Sequence, residues 1–387
     1  MISILLVIAA APLAYYVIAI YSAWRFFADA QNDKAANCNF APPVSNLKPV
    51  KGIDPDAYEN FASFCRQDYP EYEVVFCVDD ENAPVVEIIE RLKKDFPERP
   101  IRVLFGSGRI AANDKAAKLA RLVNEAQHEV LVISDSDVRA RRDYLRMVVQ
   151  PLANPDVGAV TLPYVSTGEK TFADRLQSVG MFSDFYAGIF VARQLDGVKF
   201  AIGPTIATTR SQLTRFGGYE AIENRPGDDL LVGRLIAEQG YRVELLPYTI
   251  ETVADFGSLG ELLQKRLRWL VVMRHMRPAG HLGLLLTQGV FWSLLAAAFA
   301  PSTIIAAAFV IAYLVLRVVL TLTIGSYGLK QRAILQKSIL VPLWDAIAFA
   351  LWLISFTRRS VRWRGSDYYI RGGRLIPVRD AQPEFRA

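Results

Sequence analysis

Residues Glu129 to Arg139 read EVLVISDSDVR. Val130, Leu131, Val132 and Ile133 form a continuous apolar run, the pattern of a strand buried on both faces of a parallel sheet. The run stops at Ser134, Asp135, Ser136 and Asp137. Carboxylates at i and i+2, where a buried strand leaves its sheet, raise each other's pKa unless a cation lies between them, and a hard divalent ion would serve. In open α/β sheets ligands bind beyond the carboxyl ends of strands, where this pair falls. A solvated Asp-Ser turn gives the same short string. The surrounding elements and the other carboxylates decide between the two.

Upstream, Pro42 and Pro43 lead into a strand over Val44 to Val50, and Asp54 is placed to cap a helix over Pro55 to Arg66. A β-branched and aromatic run from Glu73 to Val78 stops at Asp79, Asp80 and Glu81. Helix Val85 to Asp95, strand Ile101 to Phe105 and helix Lys115 to Ala126 follow. Downstream come helix Asp143 to Leu152, strand Val157 to Leu162 and strand Phe200 to Thr209. Strands and helices at this rhythm predict a doubly wound, mostly parallel sheet.

Gly106, Ser107, Gly108 and Ala111 spell GxGxxA, which raises dinucleotide binding. The match follows the third strand instead of opening the first βα unit, and Asn113 and Asp114 defer the helix that should receive a pyrophosphate. Thr171 to Leu195 carries Phe172, Leu176, Val179, Phe182, Phe185 and Ile189. Its bland assignment is a buried core helix, and its sharper one is part of the path of a lipid acceptor. A second acidic pair, Asp228 and Asp229, opens a helix reaching Gln239. Capping needs one carboxylate, and here there are two.

The mean hydropathy of the 387 residues is positive, and the apolar residues are unevenly spread. No charge precedes Arg25, and Ile2 to Tyr21 is long enough to cross a bilayer. We expect a membrane anchor over residues 1–24 and a catalytic domain over 40–257. An amphipathic helix over 258–280 would lie in the membrane interface, with Leu259, Leu262, Leu263, Leu267 and Leu270 on one stripe and Lys265, Arg266, Arg268 and Arg274 as cations. Two apolar helices back to back from His281 to Ile324 and a third segment, Ile339 to Phe356, make up residues 281–356, and a basic tail covers 357–387. Cations flank the third segment on both sides, so the positive-inside rule puts both flanks in the cytoplasm. Pro342 and Asp345 then favour a re-entrant or interfacial course for it.

Cys38, Cys65 and Cys77 have no CxxC spacing and imply neither zinc nor a disulfide framework. The net charge of +5 has a membrane explanation in the basic residues beside apolar segments. No basic-aromatic pattern argues for nucleic acid.

Three acidic clusters, Asp79/Asp80, Asp135/Asp137 and Asp228/Asp229, are followed by Lys265 to Trp269, KRLRW. This resembles the inverting nucleotide-sugar glycosyltransferases whose signature is D, D, D, (Q/R)xxRW. It is closer still to ceramide glucosyltransferases, family 21, and their bacterial relatives acting on hopanoid lipids. VSNLKPVKG at Val44 to Gly52, YEVVFCVDDEN at Tyr72 to Asn82, NDK at Asn113 to Lys115, GDDLLVGRLIAEQGYR at Gly227 to Arg242 and WRGSDYYIRGG at Trp363 to Gly373 carry the resemblance over nearly the whole chain. Two positions depart: Lys265 stands where the family has Gln or Arg, and Asp137 where many ceramide enzymes have Gly.

The resemblance implies a Rossmann-like, GT-A type nucleotide-sugar-binding domain between terminal transmembrane and interfacial helices. It implies Mg2+ or Mn2+ on Asp137 and Asp135, and donor contacts from Lys48, Asp80, Lys115, Asp135, Lys265, Arg268 and Trp269. Asp229 is the expected base, with Asp228 in support. The partners would be a UDP-sugar, a membrane lipid, ceramide foremost, and the bilayer of a bacterial inner membrane with the catalytic domain cytoplasmic. A hopanoid or other lipid glycosyltransferase and a polysaccharide synthase are the alternatives within the class, and a membrane-tethered dinucleotide-binding protein the alternative outside it.

Overall fold

A computed structural model describes residues 2–32, 40–363 and 366–378. Cys38 with linker residues 33–39, residues 364–365 of the WRGSDYYIRGG stretch, and the tail beyond 378 lie outside the described residues. The chain divides into two compact units. One comprises Met1–Lys34, Glu169–Gly197 and Phe256–Arg371, the other Ala35–Gly168, Val198–Asp255 and Gly372–Ala387. The expected linear catalytic domain is therefore redrawn: the segment from Glu169 to Gly197 leaves it for the helical unit, and the residues after Arg371 return to it.

The second unit is α/β. Its strands are β1 (Val44–Pro49), β2 (Tyr72–Val78), β3 (Ile101–Phe105), β4 (Val130–Ser134), β5 (Val138–Arg139), β6 (Val157–Thr161), β7 (Tyr164–Thr167), β8 (Thr205–Thr209), β9 (Arg242–Leu245) and β10 (Ile250–Val253). The main sheet has seven strands in the order β3-β2-β1-β4-β8-β6-β9. β1 runs parallel to β2 and β4, with Leu47 opposite Val75 and Ile133. The strand order reverses across β1 and β4, the geometry that leaves a crevice at the carboxyl ends.

The sheet is mostly parallel, as expected, and β8 is its antiparallel member against β4 and β6. The alternation of types in the sequence holds no record of that reversal. β4 is buried along its whole length, which is why it reads as an unbroken apolar run. Phe61, Phe64, Phe76, Val132 and Tyr144 share the core on one face, each burial of such a side chain being worth about 1.5–3 kcal/mol. Past Asp137 the chain enters β5, paired antiparallel with β10, and the amide of Val253 donates to the Asp137 carbonyl at 3.2 Å.

The helical unit holds Ile2–Ala9 and Ala11–Asn32, the latter continuing well past the expected anchor. Among the described residues three stretches, Ile2–Asp29, Thr303–Gly328 and Ile334–Thr357, are long and apolar enough to cross a membrane, and a fourth follows if Pro278–Thr287 and Gly289–Phe299, bent by 49°, count as one. Ile334–Thr357, expected to take a re-entrant or interfacial course, is an unbent stretch long enough to span, and the bend lies at the earlier pair. Pro342 falls in the first turn of Val341–Thr357, where a missing N–H does no harm. Asp345 is neutralised by Arg317, whose Nε donates to it at 2.7 Å.

Thr171 closes a capping box with Asp174 at the start of Phe172–Gly180. That helix passes through a π-turn, Met181–Phe185, and continues as Tyr186–Asp196. Gly180 is obligatory there, since a Cβ would lie 2.3 Å from the Trp344 ring. The stretch expected to lie in the membrane interface forms the helix Leu259–Met276, with Ser258 accepting from the amide of Glu261 at its N-terminus.

Candidate active site at the carboxyl ends of the strands

The site in the α/β unit is built from the ends of β1, β2 and β4, the helix Asp114–Glu125 and the helix Asp228–Glu238. Asn113 caps the first helix by accepting from the amide of Ala116. Its side-chain NH2 donates to the Arg225 carbonyl at 3.3 Å and to Asp228 Oδ1 at 3.2 Å. One residue thus fixes the N-termini of both helices. Lys115, next in the chain, places Nζ 2.6 Å from Asp135 Oδ1 and 3.6 Å from Asp228 Oδ2. Two of the three acidic clusters read from the sequence are joined by this amine.

Asp229 completes the group. A Cβ built on Gly203 would lie 2.9 Å from Asp229 Oδ2 and 3.8 Å from Asp135 Oδ2, so both carboxylates converge on that bare backbone. Burial, then repulsion by Asp228, pushes the Asp229 carboxyl up to about 6. Burial alone would lower the Lys115 amine, but Asp135, Asp228 and Asp229 outweigh it and hold the amine above its ordinary range. A carboxylate poised near neutrality beside a fixed cation is the profile of a general base.

Lys48 reaches this group indirectly. It is 0% exposed, with Nζ donating to Ser134 Oγ at 2.9 Å and to the Asp135 carbonyl at 3.1 Å, and lying 3.4 Å from the centroid of the Phe64 ring. Burial, partly offset by Asp135 and Asp137, lowers the amine to about 7. The expected donor contact at Lys48 is in this structure a brace beneath Asp135.

Asp80 is exposed at the end of β2 and accepts from the amide of Asn82 at 2.8 Å. Its neighbour Asp79 pairs with buried Lys118, which also donates to the Val50 carbonyl at 2.8 Å and faces Asp114 at 3.3 Å. Lys118 was not singled out in the sequence. Nor was Asp54 as part of this group: its carboxyl is raised first by burial and then by Asp135 and Asp255. Its only signal was a position just past the end of β1.

Lys265, Arg268 and Trp269 belong to the helical unit. Lys265 Nζ lies 4.9 Å from the Phe256 ring and 5.6 Å from the Trp269 ring, Arg268 lies 5.6 Å from the Trp363 ring, and Trp269 packs on Phe185 at 5.8 Å.

Among the described residues no three His, Cys, Asp or Glu side chains form a ready-made metal cage. Asp135 and Asp137 are nonetheless partly exposed hard-oxygen donors at the end of β4. Ions of the Mg2+ type bind through one or two carboxylates completed by substrate phosphates, so this donor set fits such an ion.

Residues 4–376 match the sequence profile described as glycosyl transferase family 21. The chain belongs to that family. Relatives within reach of family 21 include ceramide glucosyltransferase 3 of Caenorhabditis elegans, 25% identical over 260 residues that make up 67% of this chain and 55% of the relative. The beta-monoglucosyldiacylglycerol synthase of Synechocystis is 29% identical over 125 residues, 32% of this chain and 26% of that one. This family 21 chain spans little more than half the length of the first of these relatives. Among solved structures, a mannosyltransferase from Pyrobaculum calidifontis in complex with GDP-Man and Mn2+ superposes with a TM-score of 0.55 at 20% identity, covering 91% of this chain and 98% of that one. The likeness bears on fold: the family 21 chain has the GT-A type architecture.

Proposed function

We propose that this chain is a membrane-held inverting glycosyltransferase that moves a sugar, glucose foremost, from a UDP-sugar to a hydroxyl of a membrane lipid, ceramide foremost. The observation that carries this is the convergence of Asp229 and Asp135 on Gly203, with Lys115 bridging Asp135 to Asp228. The setting is a bacterial inner membrane, with the α/β unit on the cytoplasmic side. The name of the Synechocystis relative favours diacylglycerol as the second acceptor to test.

Asp229 takes the proton of the acceptor hydroxyl. The oxygen forms a bond to the anomeric carbon from the face opposite the nucleotide, and the bond from that carbon to the β-phosphate oxygen breaks, UDP leaving with the electron pair. One in-line displacement inverts the centre, so an α-linked donor gives a β-linked product. Lys115 holds Asp135 and Asp228 in place during this step, and Lys48 fixes the backbone at Asp135 from below. Asp80 contributes at the base or ribose end of the donor, while Lys265, Arg268 and Trp269 supply cations and a ring for the phosphates. A divalent ion on Asp137 and Asp135, when bound, would supply charge neutralisation for the departing diphosphate.

Membranes containing the protein are incubated with labelled UDP-sugars and a panel of lipids, and products are read by mass spectrometry. We expect a β-hexosyl lipid, lost in Asp229→Asn with UDP binding kept. Consumption of no UDP-sugar with any lipid, together with binding of a nicotinamide cofactor, overturns the proposal.

A further inference from the structure

The helix Asp114–Glu125 carries Lys115, Lys118 and Arg121, three cations three residues apart, and each is tied to a different part of the sheet's carboxyl edge. Lys115 reaches Asp135, just past β4. Lys118 Nζ donates to the Val50 carbonyl, just past β1, at 2.8 Å and pairs with Asp79, just past β2. Arg121 donates to the Phe105 and Gly106 carbonyls at the end of β3, the latter at 2.7 Å. Along the helix the cations thus follow the sheet order β4, β1, β2, β3. The turn after β3 closes on the same place. The Gly106 amide donates to the Val78 carbonyl at 2.8 Å, and at φ +73° a Cβ on Gly106 would stand 3.6 Å from the Asp79 carbonyl oxygen. Gly106 of the GxGxxA string serves this close packing.

Lys115 belongs to the reacting group around Asp229, and Lys118 does not. Lys118 is 1% exposed and faces a third partner, Asp114 Oδ2, at 3.3 Å. An ammonium has three donors, and all three are used here. Burying such a charge is costly even when it is paired, and a well-packed apolar side chain is often as stable in its place. What this lysine supplies that leucine would not is a single geometry for Asp79. Asp79 keeps 41% of its side chain exposed. Its neighbour Asp80 is exposed as well and accepts from the Asn82 amide at 2.8 Å. Lys118 therefore fastens the acidic tip of β2 to the end of β1 from the buried side.

We propose that Lys118 is a positioning residue for the sugar donor: by holding Asp79 it fixes the turn that offers Asp80 to the nucleoside, and it sets nucleotide affinity without taking part in transfer. That the occupant is a nucleoside diphosphate with its base or ribose at Asp80 rests on the function proposed above. The division of labour follows from the contacts. Lys115 meets Asp135 and Asp228, the carboxylates beside the base Asp229, so a change at Lys115 reaches the chemical step. Lys118 meets neither, and its partners lie at the ends of β1 and β2 and at the first residue of its own helix. Displacing the Asp79–Asp80 turn weakens a contact made equally in the ground state and the transition state, which raises KM and leaves kcat.

The test uses the full chain in nanodiscs, with UDP affinity read by calorimetry and turnover read with labelled UDP-glucose and ceramide. Lys118→Met strands Asp79 and Asp114. We expect UDP affinity to fall about ten-fold and the donor KM to rise by the same factor, with kcat and the lipid KM within about twofold of the parent. The double variant Asp79→Asn/Lys118→Gln replaces the ion pair by a neutral amide pair and recovers most of the loss. Should Lys118→Met not fold, Asp79→Asn, which leaves Lys118 the Val50 carbonyl and Asp114, shows a loss of UDP affinity of the same sign. A lysine that only stabilises the fold would lower the melting temperature and leave the UDP affinity of the folded protein at the parent value. Parent UDP affinity in these single variants, or a fall in kcat with the donor KM unchanged, overturns the proposal. UDP binding that depends on Lys118, in a protein that glycosylates no lipid, upholds the positioning role and sinks the transferase assignment instead.

Discussion

The carboxylate of Asp229 occupies the space that a side chain at Gly203 would need, a Cβ there coming within 2.9 Å of Asp229 Oδ2. Gly203 is not among the glycines with positive φ, so its backbone accepts alanine without strain. The consequence of Gly203→Ala is therefore confined to displacing the base. We expect kcat/KM to fall about a hundred-fold, the effect of an ångström-scale misplacement of a reacting group. UDP affinity by calorimetry should stay within about threefold. Unchanged turnover in Gly203→Ala would show that the geometry at Asp229 is not what the reaction needs.

Lys115 is the counter-ion for two carboxylates that are themselves largely enclosed, Asp228 at 8% and Asp135 at 30% side-chain exposure. Removing one partner of such a group strands the other charges, at a cost of about 3 kcal/mol. Lys115→Met should melt several degrees lower than the parent at pH 7.5, where the stability linked to the raised Lys115 amine is fully present. Thermal melts of the two proteins at pH 7.5 check this, and equal melting temperatures would exclude the assigned pairing.

Replacing Asp229 shifts stability the other way. Its folded pKa, pushed up to about 6, lies above that of the unfolded chain, about 4. The folded protein thus keeps a proton that the unfolded chain releases between those values. The stability linked to that proton is fully present below pH 4 and is lost as pH rises through 6. At pH 7.5, in the absence of metal and donor, Asp229→Asn should therefore be more stable than the parent by about 1 to 3 kcal/mol, and by nothing at pH 4. It should also turn over at least about a thousand-fold more slowly, and parent kcat should decline below pH 6. A variant that loses both activity and stability at neutral pH would contradict the placement of this group.

The carboxyl end of β4 was legible because burial on both faces writes itself as an apolar run and the two aspartates end it abruptly. Asp228 and Asp229 were legible as one carboxylate too many for a cap. Lys48 was not, since a lysine in a strand carries no mark of whether it faces a ligand or lies beneath the sheet, and here its three donors go to Ser134, Asp135 and the Phe64 ring. Asp54 passed as a cap because its proximity to Asp135 depends on strand register across β1 and β4. Gly203 gave no signal, because the space it leaves has meaning only once Asp229 is in place. Thr171 to Leu195 showed its apolar circumference correctly, but the sequence does not say which unit such a helix joins. The close approach of Gly180 to Trp344 decides that, and it is a long-range event.

The segment after Arg371, outside every boundary drawn for the catalytic region from sequence, contributes to holding it. The Leu375 amide donates to the Asn224 carbonyl at 2.8 Å, and Asn224 Oδ1 accepts from the Ala112 amide at 3.0 Å. The Asn113 amide donates to the Glu223 carbonyl at 2.8 Å, and the side chain of Asn113 goes on to Arg225 and Asp228. Gly373, at φ +74°, lets the chain turn against the Arg225 guanidinium, Nη2 of which would stand 3.4 Å from a Cβ there. The strand Arg374–Pro377 is thus tied to the loop that precedes both acids. Ending the chain after Arg371 should speed hydrogen exchange over residues 219–231 about ten-fold and lower kcat by a similar factor, with exchange in β4 unchanged. Leu375→Pro, which removes the amide donor together with the buried leucine side chain, should give an effect of the same sign. Identical exchange over 219–231 in the parent and the shortened chain would mean that the loop holds its shape without this strand.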